Sequence, residues 1–119
     1  MAGMAGASDQ RPASIQEFME IGSPTRVIAH RGFSGQAPEN TLVAIRRAIE
    51  TGADMVEVDV TMTADGRVIL LHDETLDRTT DGEGPPTAMT LEAVMKLDAG
   101  SWFDPAVAGE RIPTLAETL

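Results

Sequence analysis

The chain has no cysteine among its 119 residues. Disulfide bonds, thiolate metal ligands and a cysteine nucleophile are therefore excluded, and the composition fits a reducing compartment. No run approaches the roughly 20 apolar residues of a transmembrane helix, so no membrane span is predicted. The first residues also lack the basic leader and apolar run of a secretory signal. We therefore expect a soluble, cytoplasmic protein.

Basic residues are also scarce, with 9 Lys and Arg against 19 Asp and Glu and a formal net charge of −10. This charge opposes nonspecific binding to nucleic acid and to anionic membranes, so neither partner is predicted. A small anionic substrate would be repelled as well, and its site would need a local cation. The sequence has neither a Gly-x-Ser-x-Gly nucleophile elbow nor a Gly-x-x-x-x-Gly-Lys phosphate loop.

The length suits one compact domain and is less than half of the roughly 250 residues of a complete (β/α)₈ barrel. We predict a flexible segment over residues 1–25, containing a short helix at Ile15–Glu20. Ser14 and Glu17 have the spacing of a capping box at the start of that helix. Residues 26–119 are then the folded domain.

The domain is predicted to begin with a strand and a helix. The apolar run Val27–Ala29 within Arg26–His30 is typical of a strand that is buried on both faces. Asn40 or Thr41 is expected to cap the helix, and Gly52 to end it in a left-handed conformation. The predicted buried stripe of the helix consists of Leu42, Ala44, Ile45, Ala48 and Ile49.

A second strand is predicted over Ala53–Thr63, which completes a βαβ unit with parallel strands. Alternation places its residues on two faces. One face carries Val56, Val58 and Val60, and the other carries Met55, Glu57, Asp59 and Thr61. Ala64–Gly66 is then a turn, and Val68–Leu71 is a strand that runs back and ends at His72.

The remaining chain is predicted to be mostly connections and short helices. Residues 77–86 are polar and rich in glycine and proline, and we expect them on the surface. Thr90 is expected to cap a helix that reaches Leu97, with a buried stripe of Leu91, Val94 and Met95. Thr114 and Glu117 form a capping box where two residues of chain remain, too few to nucleate a helix. The chain therefore looks cut at this point.

Glu57 and Asp59 are the candidate metal ligands. Two positions apart on one strand, their Cα atoms would lie roughly 6.5 Å apart with both side chains on one face. Such a pair can converge on a hard cation such as Ca²⁺ or Mg²⁺. A solvated strand face is the alternative, and the apolar residues on the opposite face speak against it.

The two histidines of the chain follow predicted strands. His30 ends the first strand and precedes Arg31, whose guanidinium can bind phosphate through paired hydrogen bonds. His72 ends the third strand. Each histidine alone could be a hydrogen-bonded boundary residue, but ligands gather at the carboxyl ends of strands in parallel α/β folds. With Asp59, the histidines are therefore expected to form one site.

Four short motifs combine these residues with their neighbours. They are His30-Arg31-Gly32, Pro38-Glu39-Asn40-Thr41, Glu57-Val58-Asp59 and His72-Asp73-Glu74-Thr75-Leu76-Asp77-Arg78-Thr79-Thr80. In this order and spacing they resemble the glycerophosphodiester phosphodiesterase family, hydrolases of lipid and glycerol metabolism. The resemblance covers about residues 26 to 119.

The resemblance implies an α/β fold that is the N-terminal portion of a (β/α)₈ TIM barrel, truncated after about the second βα unit and its insertion. Residues 26–119 would be an incomplete phosphodiesterase domain. By the same resemblance, Glu57 and Asp59 bind a divalent metal, Ca²⁺ or Mg²⁺. His30 accepts a proton, His72 donates one, and Arg31 binds the phosphate.

The implied reaction hydrolyses a glycerophosphodiester, a small-molecule substrate, to glycerol 3-phosphate and an alcohol. The family's third carboxylate ligand and a nearby lysine, both from a later strand, have no counterpart in the sequence. A noncatalytic truncated barrel fragment is therefore one alternative, and it would self-associate through uncovered barrel strands. A lipid phosphodiesterase similar to sphingomyelinase D is another.

Overall fold

Residues 25–119 are described in the computed structural model of the chain. The predicted helix Ile15–Glu20 lies outside the described residues, as does the rest of the segment before residue 25. The strands are β1 (Ile28–His30), β2 (Met55–Glu57), β3 (Val60–Met62) and β4 (Val68–Leu70). The helices are α1 (Leu42–Glu50), α2 (Leu91–Val94) and α3 (Leu115–Thr118), with 3₁₀ turns at Pro86–Ala88 and Pro105–Val107.

The predicted βαβ unit is confirmed. Strands β1 and β2 pair in parallel with His30 opposite Glu57, and α1 connects them. Thr41 is the residue that caps α1, because its side chain accepts a hydrogen bond from the Ala44 N–H. Gly52 follows the helix at φ 89°, the left-handed conformation expected there.

The prediction of one continuous strand over Ala53–Thr63 is wrong. The strand breaks after Glu57, and β3 belongs to a second sheet in which it pairs antiparallel with β4. The break is explained by a contact with a distant part of the chain, because the Asp59 N–H donates to the side-chain oxygen of Asn40 at 3.1 Å and not to a neighbouring strand. The predicted hairpin between β3 and β4 is confirmed, with Gly66 at φ 77° in its turn.

The main apolar core lies beneath β4 and the loops that follow it. Its buried members are Ile69, Leu71, Leu76, Val94, Ala99 and Ile112. The surface segment predicted over residues 77–86 is only partly on the surface, because Thr79, Thr80 and Pro86 are buried. These residues attach the long loop after β4 to the core, so that the chain beyond His72 is fixed in position.

Several predicted core residues are exposed. Val27 and Ile28 retain 59% and 54% of their accessible surface, so the expectation of a strand buried on both faces is wrong. In the described part of the chain, β1 has only β2 beside it. An apolar strand is buried only where neighbouring elements cover it, and its composition does not show whether they are present. Ile49 is also exposed, at 44%, while Ala44, Ile45 and Ala48 are buried as predicted.

The two later helices differ from their predictions. Helix α2 ends at Val94 and not at Leu97, because Lys96 and Leu97 donate to carbonyls three residues back and tighten the chain. Met95 is consequently exposed. Helix α3 forms one turn where none was expected, stabilised by the capping box of Thr114 and Glu117. Within residues 25–119, no helix combines the length and the apolar composition required to cross a membrane.

Candidate active site

The two histidines lie where the sequence predicts, after strands. His30 is the last residue of β1, and His72 comes two residues after the end of β4. Their side chains are 66% and 44% exposed. They border different cavities: His72 lines one with Glu39 and Asn40, and His30 lines a groove with Phe33. The segments that contain His30 and His72 are therefore connected by the side chains that lie between them.

Arg31 contacts several of the side chains that lie between the two histidines. Its backbone is left-handed at φ 60°, which is uncommon for a residue with a Cβ and is enriched at functional sites. Its N–H donates to the Glu57 carbonyl at 2.8 Å and to Glu57 Oε1 at 3.1 Å. Its Nε lies 3.4 Å from Asp59 Oδ2. Both predicted metal ligands therefore contact Arg31, although they do not lie on one strand.

The free oxygens of these carboxylates fit a hard cation. Hydrogen bonds and ion pairs reach Glu57 at Oε1 and Asp59 at Oδ2. Within residues 25–119, Oε2 of Glu57 and Oδ1 of Asp59 have no hydrogen-bond partner, and carboxylate oxygens are the donors that Ca²⁺ and Mg²⁺ prefer. The same residues contain no group of three or more His, Cys, Asp or Glu side chains that could hold a metal. The donor set therefore fits the ion and supplies only part of its coordination.

Sequence reasoning gave no role in the site to four residues that connect it. Glu39 accepts hydrogen bonds from Arg31 Nη1 at 3.2 and 3.3 Å, and from Arg78 at 2.8 and 3.1 Å. Arg78 also donates to Asp73, which contacts His72 Nδ1 at 2.8 Å. Asn40 is the fourth. All four belong to the motifs quoted above, but ion pairs between loops leave no periodic signal that could have revealed them.

The ion pairs shift the ionisation of two of these groups. Hydrogen bonds from Arg78, and then from His72, hold the pKa of the Asp73 carboxyl well below its usual range. Hydrogen bonds to Asp73 and Glu39 raise the pKa of Arg78 above its ordinary value. Asp73 is therefore ionised at neutral pH and accepts hydrogen bonds only, which requires that His72 Nδ1 be the donor between them.

Asn40 connects the loop after β1 to Asp59. Its Nδ2 donates to Asp59 Oδ2 and its Oδ1 accepts from the Asp59 N–H, both at 3.1 Å. The residue is 4% exposed and left-handed at φ 57°. Asparagine tolerates this conformation better than most residues with a side chain, and its two bonds fix the orientation of the Asp59 carboxylate.

We expect Asn40→Gly and Asn40→Ala to destabilise the chain to different extents. Both lose the two bonds to Asp59, worth about 2 kcal/mol together. Alanine also adopts a left-handed backbone at a cost of about 1–2 kcal/mol, whereas glycine loses only about 0.4–1 kcal/mol through its freedom in the unfolded chain. Urea unfolding should therefore rank alanine below glycine and both below the native chain. A more stable alanine variant would contradict this account of the Asn40 backbone.

Comparison with known proteins gives concordant matches. Residues 30–119 match the model of the glycerophosphoryl diester phosphodiesterase family. The glycerophosphodiester phosphodiesterase of Caldanaerobacter subterraneus subsp. tengcongensis is 58% identical over 93 residues, which are 78% of this chain and 38% of that protein. Glycerophosphodiester phosphodiesterase 1 of Rattus norvegicus is 51% identical over 94 residues, 77% of this chain and 28% of its own length.

Solved structures give the same result. A phosphodiesterase of Oleispira antarctica, in complex with the product sn-glycerol-3-phosphate, has a TM-score of 0.77 and 48% identity, covering 79% of this chain and 38% of that one. A glycerophosphodiester phosphodiesterase of Agrobacterium tumefaciens has a TM-score of 0.76 and 47% identity, over 77% of this chain and 40% of the other. These neighbours are TIM barrels, and the described fold is the N-terminal portion of one, as the sequence predicted.

Proposed function

Because the chain belongs to the glycerophosphoryl diester phosphodiesterase family, we propose that it performs metal-dependent hydrolysis of glycerophosphodiesters to glycerol 3-phosphate and an alcohol. The observation that carries the proposal is the continuous set of contacts in which Arg31 joins Glu57, Asp59 and Glu39. The same contacts extend through Arg78 to the segment of His72. These contacts thus connect residues of all four motifs.

Glu57 and Asp59 would hold the divalent cation, Ca²⁺ or Mg²⁺, through the oxygens that Arg31 and Asn40 leave free. When bound, the cation supplies positive charge to the phosphoryl oxygens, as an acidic protein with a net charge of −10 requires. Arg31 contributes a second charge. Within the described residues its Nη2 has no hydrogen bond, so that this nitrogen is free to contact a phosphate oxygen.

The two histidines would move protons on opposite sides of the phosphate. His30 accepts a proton from the attacking water, whose oxygen forms the new bond to phosphorus as the bond to the alcohol breaks. The His30 Nε2 lies 3.9 Å from Glu57 Oε1, which can stabilise the resulting cation. His72 donates a proton to the departing alkoxide from Nε2, since Nδ1 is engaged by Asp73. Imidazoles suit both roles because they titrate near neutral pH.

A small-molecule substrate is supported by the structural neighbour from Oleispira antarctica, whose complex contains sn-glycerol-3-phosphate. That product has the size and charge of the fragment that Arg31 and a bound cation would retain. A cytoplasmic location stays a prediction from the sequence.

A second candidate is a noncatalytic fragment of the barrel. The chain spans 38% and 28% of the length of two relatives that it matches. This candidate is favoured by the incomplete metal coordination within residues 25–119. For a noncatalytic fragment, the exposed apolar residues in and next to the strands would favour self-association. These include Val27, Ile28, Val60 and Met62, each at least half exposed.

Turnover by the 119-residue chain distinguishes the two candidates. We expect release of glycerol 3-phosphate from glycerophosphocholine in the presence of Ca²⁺ or Mg²⁺, and its loss when the cation is removed by EDTA. The rate is measured with a coupled assay for glycerol 3-phosphate. A chain carrying both His30→Ala and His72→Ala, prepared in the same way, is the control for contaminating activity. Equal rates for the native and control chains would contradict the enzymatic proposal and support the fragment.

A further inference from the structure

We infer that Arg78 is a positioning residue for His72, acting through Asp73 while it also binds Glu39. The inference rests on the proposed function, in which His72 is the proton donor. Arg78 itself does not reach the reacting atoms in this scheme. It determines which imidazole nitrogen carries the proton and where the ring lies.

The contact between Arg78 and Asp73 is made by two nitrogens. Nε donates to Oδ2 at 2.8 Å and Nη2 donates to Oδ1 at 3.0 Å, the paired geometry of a guanidinium and a carboxylate. The plane of the carboxylate is therefore fixed. Oδ1 is also the atom that lies 2.8 Å from His72 Nδ1. The orientation of the imidazole consequently depends on a carboxylate that Arg78 orients.

The other side of the guanidinium binds Glu39. Nη1 donates to Oε1 at 3.1 Å and Nη2 to Oε2 at 2.8 Å, across 39 positions of sequence. The Glu39 side chain is 10% exposed and is bound by Arg31 as well. Glu39 belongs to the loop between β1 and α1, which also carries Arg31. Arg78 therefore joins the loop after β1 to the loop after β4, and so connects the segments that contain the two histidines.

Only arginine can make both contacts at once. Its planar group presents five N–H donors in a rigid fork, whereas lysine has a single ammonium that binds as a point charge. The guanidinium carbon also lies 5.9 Å from the centroid of the Trp102 ring, which limits its movement on a further side. The position thus requires the shape of the guanidinium as well as its charge.

The consequence for His72 is a preference for one tautomer. With Nδ1–H donated to Asp73, the neutral ring leaves Nε2 unprotonated, and the protonated ring presents its second proton at Nε2. Within residues 25–119, Nε2 has no hydrogen-bond partner. Arg78 thereby keeps Nε2 as the nitrogen that faces a leaving group, and Nδ1 does not give its proton to that group.

Nitrogen NMR of the 119-residue chain tests this inference without any need for turnover. The chain has two histidines, so two imidazole spin systems are observed, and His30 serves as the internal reference. In the native chain with a neutral His72 ring, we expect Nδ1 to show the chemical shift of a protonated nitrogen and Nε2 that of an unprotonated one. In Arg78→Ala the two shifts should move towards each other, because the tautomers become mixed.

Two further variants complete the test. Arg78→Lys should resemble Arg78→Ala, since an ammonium cannot fix the carboxylate plane; native shifts in this variant would contradict the role of the fork. Asp73→Asn should also mix the tautomers and covers the case in which the Arg78 variants do not fold. Arg46→Ala, on the exposed face of α1, is the matched control and should leave both histidines unchanged.

The inference fails if folded Arg78→Ala retains the native nitrogen shifts of His72. A role in stability alone would give this result, with a lower unfolding midpoint and an unchanged tautomer. Failure of the proposed function is a separate observation, because a chain without turnover could still show the predicted tautomer and its loss.

Discussion

His72→Ala is expected to reduce the turnover of glycerophosphocholine by about 10²–10⁴-fold, the usual contribution of a positioned general acid. The choline alkoxide is a poor leaving group and needs a proton as the bond to phosphorus breaks. A nitrophenyl phosphodiester releases an anion that is stable near neutral pH, so its hydrolysis should fall by less than about tenfold. Steady-state rates on both substrates, at one pH and one cation concentration, give the comparison.

His30→Ala is the matched control for this experiment. A proton acceptor acts on the attacking group, so its loss should slow both substrates by similar factors whatever the leaving group. Far-UV circular dichroism checks that each variant keeps the fold of the native chain. Equal losses on the two substrates in His72→Ala would mean that His72 does not protonate the leaving group.

Helix caps and left-handed glycines were predicted correctly because they depend on a few neighbouring residues. Thr41, one of the two predicted candidates, and Thr90 cap their helices, and Gly52 and Gly66 take the left-handed conformations that their positions require. These features depend on one turn of backbone and a side chain beside it. They could therefore be read from a few neighbouring residues.

The features that sequence reasoning missed depend on contacts between distant segments. Strand β2 ends early because Asn40, 19 positions before Asp59, takes the N–H that would have continued the ladder. Alternating valines cannot reveal such competition, because their pattern is the same whether the strand continues or breaks. The exposure of Ile28 has a similar origin, since periodicity reports the preference of a side chain for burial and not whether a neighbour is present.

In the candidate site, too, the sequence indicated individual residues but not the contacts between distant segments. The residue types with evident chemistry, His30, His72 and the two carboxylates, could be selected from the sequence and its motifs. Their arrangement could not, because Glu39 lies between two arginines that are 47 positions apart in sequence, Arg31 and Arg78. Ion pairs of this kind form after the loops are placed by the core.

Glu57→Gln combined with Asp59→Asn is expected to weaken the binding of Ca²⁺ or Mg²⁺ by at least about 100-fold. The changes preserve size and shape but remove both negative charges from the donor set. Substitution of groups that only support metal ligands already costs about 10–100-fold in affinity, and loss of two charged ligands should exceed that range. Isothermal titration calorimetry of the native and double-variant chains with each cation measures the effect.

A matched control separates a local site from the general attraction of an acidic protein for cations. Glu50→Gln combined with Glu92→Gln removes the same two charges from exposed helical positions and changes the net charge equally. This chain should bind the cation as the native one does. A similar loss of affinity in both double variants would show that overall charge, and not Glu57 and Asp59, governs binding. Undiminished affinity in the Glu57 and Asp59 variant would place the cation elsewhere.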